Sequence, residues 1–127
     1  MKIDLHTDPS AHLVSSYSRD ELFIAGERYT TTVAVTATGV HDLNLPDRYE
    51  LLSLDGLKRV LALDTDIVVL GTGDRAEFCS PEHLAYANRA GTGLEAMATP
   101  AAARSYNVLV AENRSVAAVF FPPFDRD

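Results

Sequence analysis

The sequence predicts an α/β fold, a layered arrangement with a β-α-β-α-β parallel core and an added N-terminal antiparallel β-hairpin. Three observations carry this. An unbroken apolar run, Ile67-Val68-Val69-Leu70, stops at Gly71, the mark of a strand covered on both faces. Two helix-start signals, Ser80-Pro81-Glu82 and Thr99-Pro100, follow it, each leading into helix-forming sequence. Ahead of it lie two β-branched and aromatic runs with Gly26-Glu27 between them. Alternating strand and helix argues for parallel strands joined by right-handed crossovers, with helices over the sheet.

From Met1 to about Ala11 little periodicity is present, and a loosely held terminus or edge segment is expected. Leu22 to Ala25 and Tyr29 to Ala37 read as the hairpin, with Gly26-Glu27 as a two-residue turn needing positive φ at its first position. Val33 and Val35 fall on one face while Thr32, Ala34 and Thr36 fall on the other, which predicts a half-covered sheet. Leu54, Leu57, Val60 and Leu61 then recur at helical spacing behind Ser53 as N-cap, so a helix is expected to run to about Leu63. The Ile67 run reads as the central strand. A second helix runs from the Ser80 cap to Gly91, and Leu94 to Met97 forms a short strand. A third helix starts at Thr99-Pro100, continues from Ala101 through Val110 and ends near Asn113, a residue that tolerates a left-handed stop. Val116 to Phe121 is the last strand, closed by Pro122-Pro123.

Composition bounds the class. A chain of 127 residues with 46% hydrophobic and 23% charged residues is ordinary globular usage, and residues 1–127 are expected to form a single domain. With 11 basic against 18 acidic residues the formal charge is -7, a field that repels phosphate backbones, so nucleic acid is not an expected partner. One cysteine, Cys79, allows no intrachain disulfide and fits a reducing compartment. The start lacks an apolar signal region and no apolar run approaches the ~20 residues that span a bilayer, so a cytoplasmic protein without membrane insertion is expected.

Candidate sites follow from the topology. Ligands in open parallel sheets bind outside the carboxyl ends of strands, so the loop Gly71-Thr72-Gly73 and the helix start at Thr99 are expected to open onto one crevice, with Arg104 and Asn107 neighbours on the helix behind it. A small anion held there by Thr99 and nearby N–H groups is one reading. The plainer ones are that Thr99 caps its own helix and that a buried Asn107 ties down adjacent backbone. Gly71-Thr72-Gly73-Asp74-Arg75-Ala76 formally matches the dinucleotide-binding glycine pattern, and Glu95 lies at the spacing of a ribose-binding acid. However, the helix start waits until Ser80, Asp74 and Glu77 bring negative charge, and Glu95 sits inside its strand. A tight turn is the better reading, and Gly91-Thr92-Gly93, which leads into a strand, belongs to the opposite edge.

Cys79 stands just before a helix start and four residues ahead of His83, a placement that favours reactivity, yet Phe78 and Cys79 also read as packed apolar anchors before the cap. His6, Asp8 and His12 match no rigid metal-ligand spacing, and no metal or other cofactor is expected. The carboxylates single out no acid/base pair, and no catalytic set emerges.

The run Leu94-Glu95-Ala96-Met97-Ala98-Thr99-Pro100-Ala101-Ala102-Ala103-Arg104-Ser105-Tyr106-Asn107-Val108-Leu109, with Glu112 and Arg114 after it and Val68-Val69-Leu70-Gly71-Thr72-Gly73 before it, resembles the Mth domain family. The resemblance implies a layered α/β fold with an added antiparallel portion, supplies no catalytic residues, and includes relatives that act in assembling a respiratory complex. The chain departs from the usual form at Ala98, where members often carry a polar residue, and at Asn113, where they often carry Gly.

Two functions are thus set against each other. One is a non-catalytic binding or assembly-helper protein with a protein partner. The other is a small-molecule or anion binder or enzyme using the crevice between Gly71-Gly73 and Thr99. Self-association is an added expectation, from apolar surface on the hairpin's outer face and on the Phe120 to Phe124 tail.

Overall fold

The computed structural model describes residues 11–127; His6, Asp8 and most of the segment expected to be loosely held lie outside them. The first strands are β1 (Val14–Tyr17), β2 (Leu22–Ile24) and β3 (Glu27–Tyr29), which form a small antiparallel sheet in that order. The hairpin turn is Ala25-Gly26, one residue earlier than expected, with Ile24 facing Glu27 across it. Both turn residues have positive φ, 51° and 81°, as the favoured two-residue hairpin turn demands, and glycine takes the second of them.

The second run of the expected hairpin is divided. Its start, Tyr29, ends β3, whereas Val33 onward becomes β4 (Val33–Thr36), which leaves the small sheet and pairs antiparallel with the last strand of the chain. The expected half-covered face is also corrected, because Val33, Ala34 and Val35 are all buried, with Val33 and Val35 in one core and Ala34 in the other. β5 (Gly39–His41) adds an antiparallel edge to β4.

α1 (Leu54–Leu61) starts where Ser53 predicts, and the Ser53 hydroxyl accepts a hydrogen bond from the Gly56 N–H. β6 (Ile67–Gly71), α2 (Pro81–Arg89), β7 (Gly93–Met97), α3 (Thr99–Ala111) and β8 (Val116–Phe120) complete the chain. Ser80 caps α2 through the His83 N–H, and Gly91 and Asn113 stop α2 and α3 with φ of 77° and 59°. The five-stranded sheet has the order β5-β4-β8-β6-β7, with β6 parallel to both β7 and β8. The middle position therefore belongs to β8 rather than to the Ile67 strand. This is consistent with β8 being buried along its whole length.

Alternation along β8 divides the core. Val116, Ala118 and Phe120 face α3 and the small sheet, together with Val69 and Tyr106. Ala117 and Val119, followed by Phe121, face the other layer with Val68, Leu70, Tyr49 and Val60. Phe120, Phe121 and Phe124 are fully buried. The tail expected to offer apolar surface for self-association is thus core, because a strand covered on both faces sends successive rings into both layers.

α3 also fastens the small sheet. The Asn107 side chain accepts from the Val14 N–H at 3.0 Å and donates to the Val14 carbonyl at 2.8 Å, pairing with β1 as a neighbouring strand would. Tyr106 donates its hydroxyl to the His12 carbonyl at 2.6 Å, and Arg104 donates to the Tyr17 hydroxyl at 2.9 Å. One helix face thereby holds the segment from His12 to Tyr17.

Candidate functional site

The carboxyl ends of β6 and β7 and the start of α3 meet, as the parallel order requires. The Thr99 N–H donates to the Gly73 carbonyl at 2.8 Å, and the Gly73 N–H donates to the Thr99 hydroxyl at 2.9 Å. That hydroxyl in turn donates to the Phe121 carbonyl at 2.8 Å and is fully buried. It does not cap α3, whose N-cap position is Ala98 with no side-chain bond. Thr99 instead laces the loop after β6 to the residue after β8.

No gap separates these groups. A Cβ at Gly71 would lie 2.8 Å from the Thr99 oxygen and 3.1 Å from the Thr99 Cα, so glycine is required by close backbone approach. Gly73 adopts φ of 103°, in the region glycine favours. The Thr72 hydroxyl lies 2.6 Å from the Arg75 carbonyl and 3.1 Å from that of Met97, and accepts from the Glu77 N–H at 3.2 Å, folding the loop onto itself. Arg104 and Asn107 reach β1 rather than this rim. Of the residues expected to meet a ligand, Gly71, Gly73 and Thr99 come together, Thr72 stands beside them, and Arg104 and Asn107 do not join them.

Outside the rim lies a cleft of about 750 Å³, to which Thr72 contributes but Thr99 does not. Four arginines line it (Arg19, Arg28, Arg48 and Arg75) beside five carboxylates (Asp20, Asp47, Glu50, Asp74 and Glu77). Three of the four are ion-paired: Arg19 lies 3.4 Å from Asp74 and 3.1 Å from Asp127, Arg28 lies 2.8 Å from Glu21, and Arg48 lies 3.7 Å from Glu50. Such pairing leaves little unopposed positive field for a phosphate. A dinucleotide site needs a helix that starts directly after the glycine turn, whereas here α2 begins only at Pro81 and Glu95 sits within β7 rather than at its carboxyl end.

Beside the cleft the loop carries an exposed ring. Phe78 is 97% exposed, not the packed anchor its place before the α2 cap suggests, and Leu51 is 64% exposed on the short 3-10 turn Tyr49–Leu51. The two segments are pinned together, because the buried Tyr49 donates its hydroxyl to the Phe78 carbonyl at 3.0 Å and sets its ring edge-on against Phe121. Burial, together with Cys79 and Glu77, pushes the Tyr49 hydroxyl well above its ordinary range, so it remains a donor. Cys79 is half-buried; burial pushes its thiol up, with the Tyr49 hydrogen bond opposing in part. Sequence reasoning passed over Tyr49. Its signal was an aromatic directly after the polar Pro46-Asp47-Arg48 stretch and just ahead of the α1 cap.

Fold and rim together define a small α/β scaffold in which a parallel β-α-β-α-β unit is extended by antiparallel strands and its own side chains close the strand ends. The chain belongs to the family described as protein of unknown function (DUF498/DUF598), whose pattern matches residues 14–121. The structure is similar to the crystal structure of a Bordetella parapertussis protein, with 29% identity, a TM-score of 0.83, and coverage of 89% of this chain and 97% of that one. It is also similar to the solution structure of a Bordetella pertussis Mth938-like domain, with 27% identity, a TM-score of 0.80, and coverage of 97% and 94%. The resemblance to the Mth domain family is therefore upheld.

In sequence the chain is 30% identical over 112 residues to NADH dehydrogenase [ubiquinone] 1 alpha subcomplex assembly factor 3 of Xenopus tropicalis. That match takes in 87% of this chain and 61% of the relative, so the chain spans less than two thirds of the relative's length.

Proposed function

We propose that this protein is a non-catalytic assembly helper that holds a partner protein on the surface around Phe78. The observation that carries the reading is the 97% exposure of that ring on a loop fastened from beneath by Tyr49. Leaving an aromatic in water on a fixed loop forgoes about 1.5–3 kcal/mol of burial, which a docked partner recovers. Leu51 stands on the adjoining segment and enlarges the apolar target. The polar groups of the rim support the reading from the other side, since Thr99 and Thr72 are engaged with the chain's own backbone, and Asn107 is likewise committed to β1.

The frog relative's name adds the kind of work: a factor for the assembly of a respiratory complex. A complex of that type is the first assembly in which to look for the partner, and the cytoplasm, where a lone cysteine stays reduced, is the compartment this reading takes. Among the described residues, no helix is long and apolar enough to cross a membrane.

Affinity capture with mild crosslinking tests the reading. The native chain should return one reproducible protein partner, and Phe78→Asp, a change at an exposed position that leaves stability within about 0.5 kcal/mol, should lose it. Repeated empty captures, or a partner indifferent to Phe78→Asp, would remove the basis for the proposal.

A further inference from the structure

The open edge of the five-stranded sheet has an alternation that defines what can bind there. β7 is an outer strand, hydrogen-bonded to β6 on one side only. At its two ends the Gly93 N–H donates to the Asp66 carbonyl and the Met97 carbonyl accepts from the Thr72 N–H. In a parallel ladder alternate residues face the same neighbour, so Gly93, Glu95 and Met97 turn their backbone groups toward β6. The N–H and C=O of Leu94 and Ala96 therefore point away from the sheet, and among the described residues nothing pairs with them.

The two faces beside this edge differ in chemistry. On one, Leu94 and Ala96 pack toward the second core, and a pocket of about 380 Å³ opens between β7 and α2, lined by Leu84, Ala87 and Leu94 among others. Leu84 is 44% exposed at its wall. On the opposite face Glu95 is exposed, and no ion pair reaches it among the described residues. An added strand lying along β7 would meet an apolar pocket on one face and a carboxylate on the other.

We propose that β7 accepts an extended segment of a partner protein by strand addition, and that this segment alternates an apolar side chain, seated against Leu84 and Leu94, with a Lys or Arg opposite Glu95. The proposal rests on the assembly-helper reading and names a second contact for its partner. A second copy of this chain is the wrong occupant. Antiparallel pairing of two β7 strands that uses the outward groups of Leu94 and Ala96 on both copies sets Glu95 directly across from Glu95, and like charges directly opposite are unfavourable. A basic residue there reverses the sign of the interaction.

The test is amide exchange with a short synthetic peptide of alternating valine and lysine. In the free protein the Leu94 and Ala96 amides should exchange fast while those of Glu95 and Met97 are protected. The peptide should slow Leu94 and Ala96 by at least about tenfold, an occupancy effect of ordinary weak binding. A valine–glutamate peptide should leave both unchanged, and Glu95→Lys should exchange the two preferences. Ala96→Pro keeps the ladder to β6, because the lost N–H is the outward one, yet should abolish the protection. Retained protection at Glu95 and Met97 certifies that this variant is folded. If the valine–lysine peptide leaves Leu94 and Ala96 at their free rates, or protects them equally in Glu95→Lys, strand addition is overturned. The assembly reading is judged separately: a partner lost in Phe78→Asp sustains it even when the peptide fails, and an absent partner removes it even when the peptide docks.

Discussion

Replacing Thr99 by valine isolates the closure of the rim. Valine keeps the branched shape but exchanges the hydroxyl for a methyl group. The Gly73 N–H then loses its 2.9 Å acceptor and the Phe121 carbonyl its 2.8 Å donor, both in a site with no solvent exposure at residue 99. A buried donor or acceptor left unpaired costs ~1–3 kcal/mol, and among the described residues the Thr99 hydroxyl is the one partner seen for the Phe121 carbonyl. The methyl must also take a position 2.9 Å from the Gly73 nitrogen and 2.8 Å from the Phe121 carbonyl oxygen, closer than a carbon atom tolerates. The expected loss is therefore about 2–4 kcal/mol, a large part of the ~5–15 kcal/mol typical of a domain. In urea unfolding, with a slope of about 2 kcal/mol/M, the midpoint should fall by roughly 1–2 M. Thr99→Ser retains the hydroxyl and should cost only about 0.5–1.5 kcal/mol for the missing methyl. The reasoning is refuted if valine is tolerated as well as serine, because the hydroxyl would then contribute nothing to the fold and would be free for another task.

Gly71→Ala should destabilise by about 1–3 kcal/mol in the same urea assay, since the new Cβ meets Thr99 and the Ala102 side chain in a close-packed layer. The melting temperature should fall as pH rises past about 9. Tyr49, Tyr106 and Cys79 have raised folded-state values, above the ordinary 10.0 for tyrosine and 9.0 for cysteine, so the unfolded chain ionises first and gains stability relative to the native one. Tyr106→Phe should flatten that decline while lowering stability at neutral pH by about 1 kcal/mol through the lost bond to the His12 carbonyl. Iodoacetamide should label Cys79 in the native protein more slowly than a free thiol at neutral pH, as a raised thiol value leaves less thiolate; faster labelling would contradict its half-buried setting.

The second half of the chain was readable because each element there is local. The Ile67 run, the Ser80-Pro81 start, Gly91 and Asn113 each determine a boundary through their own backbone preferences, and the parallel order of three strands then brings Gly73 to Thr99. The first half depends on distant partners. Val14–Tyr17 carries two serines and shows no strand pattern, but α3 supplies Asn107 to pair with Val14 across 93 residues of sequence. The run from Tyr29 to Ala37 reads as one strand until β8 claims Val33 onward. At the rim, spacing placed the right groups together but could not measure the approach of Gly71 to Thr99, which leaves no crevice between them. Phe78 was misread for a related reason: a ring before a helix cap usually packs inward, and here Tyr49 ties down the Phe78 backbone while the ring points out.

A photoreactive phenylalanine analogue at position 78 would test the central claim, that the chain acts through a protein partner seated on this loop. Irradiation of the native cell should join the chain covalently to a single partner protein, and the same analogue at the exposed Val108 of α3 should not. Equal labelling at both positions, or none at position 78, would contradict the account.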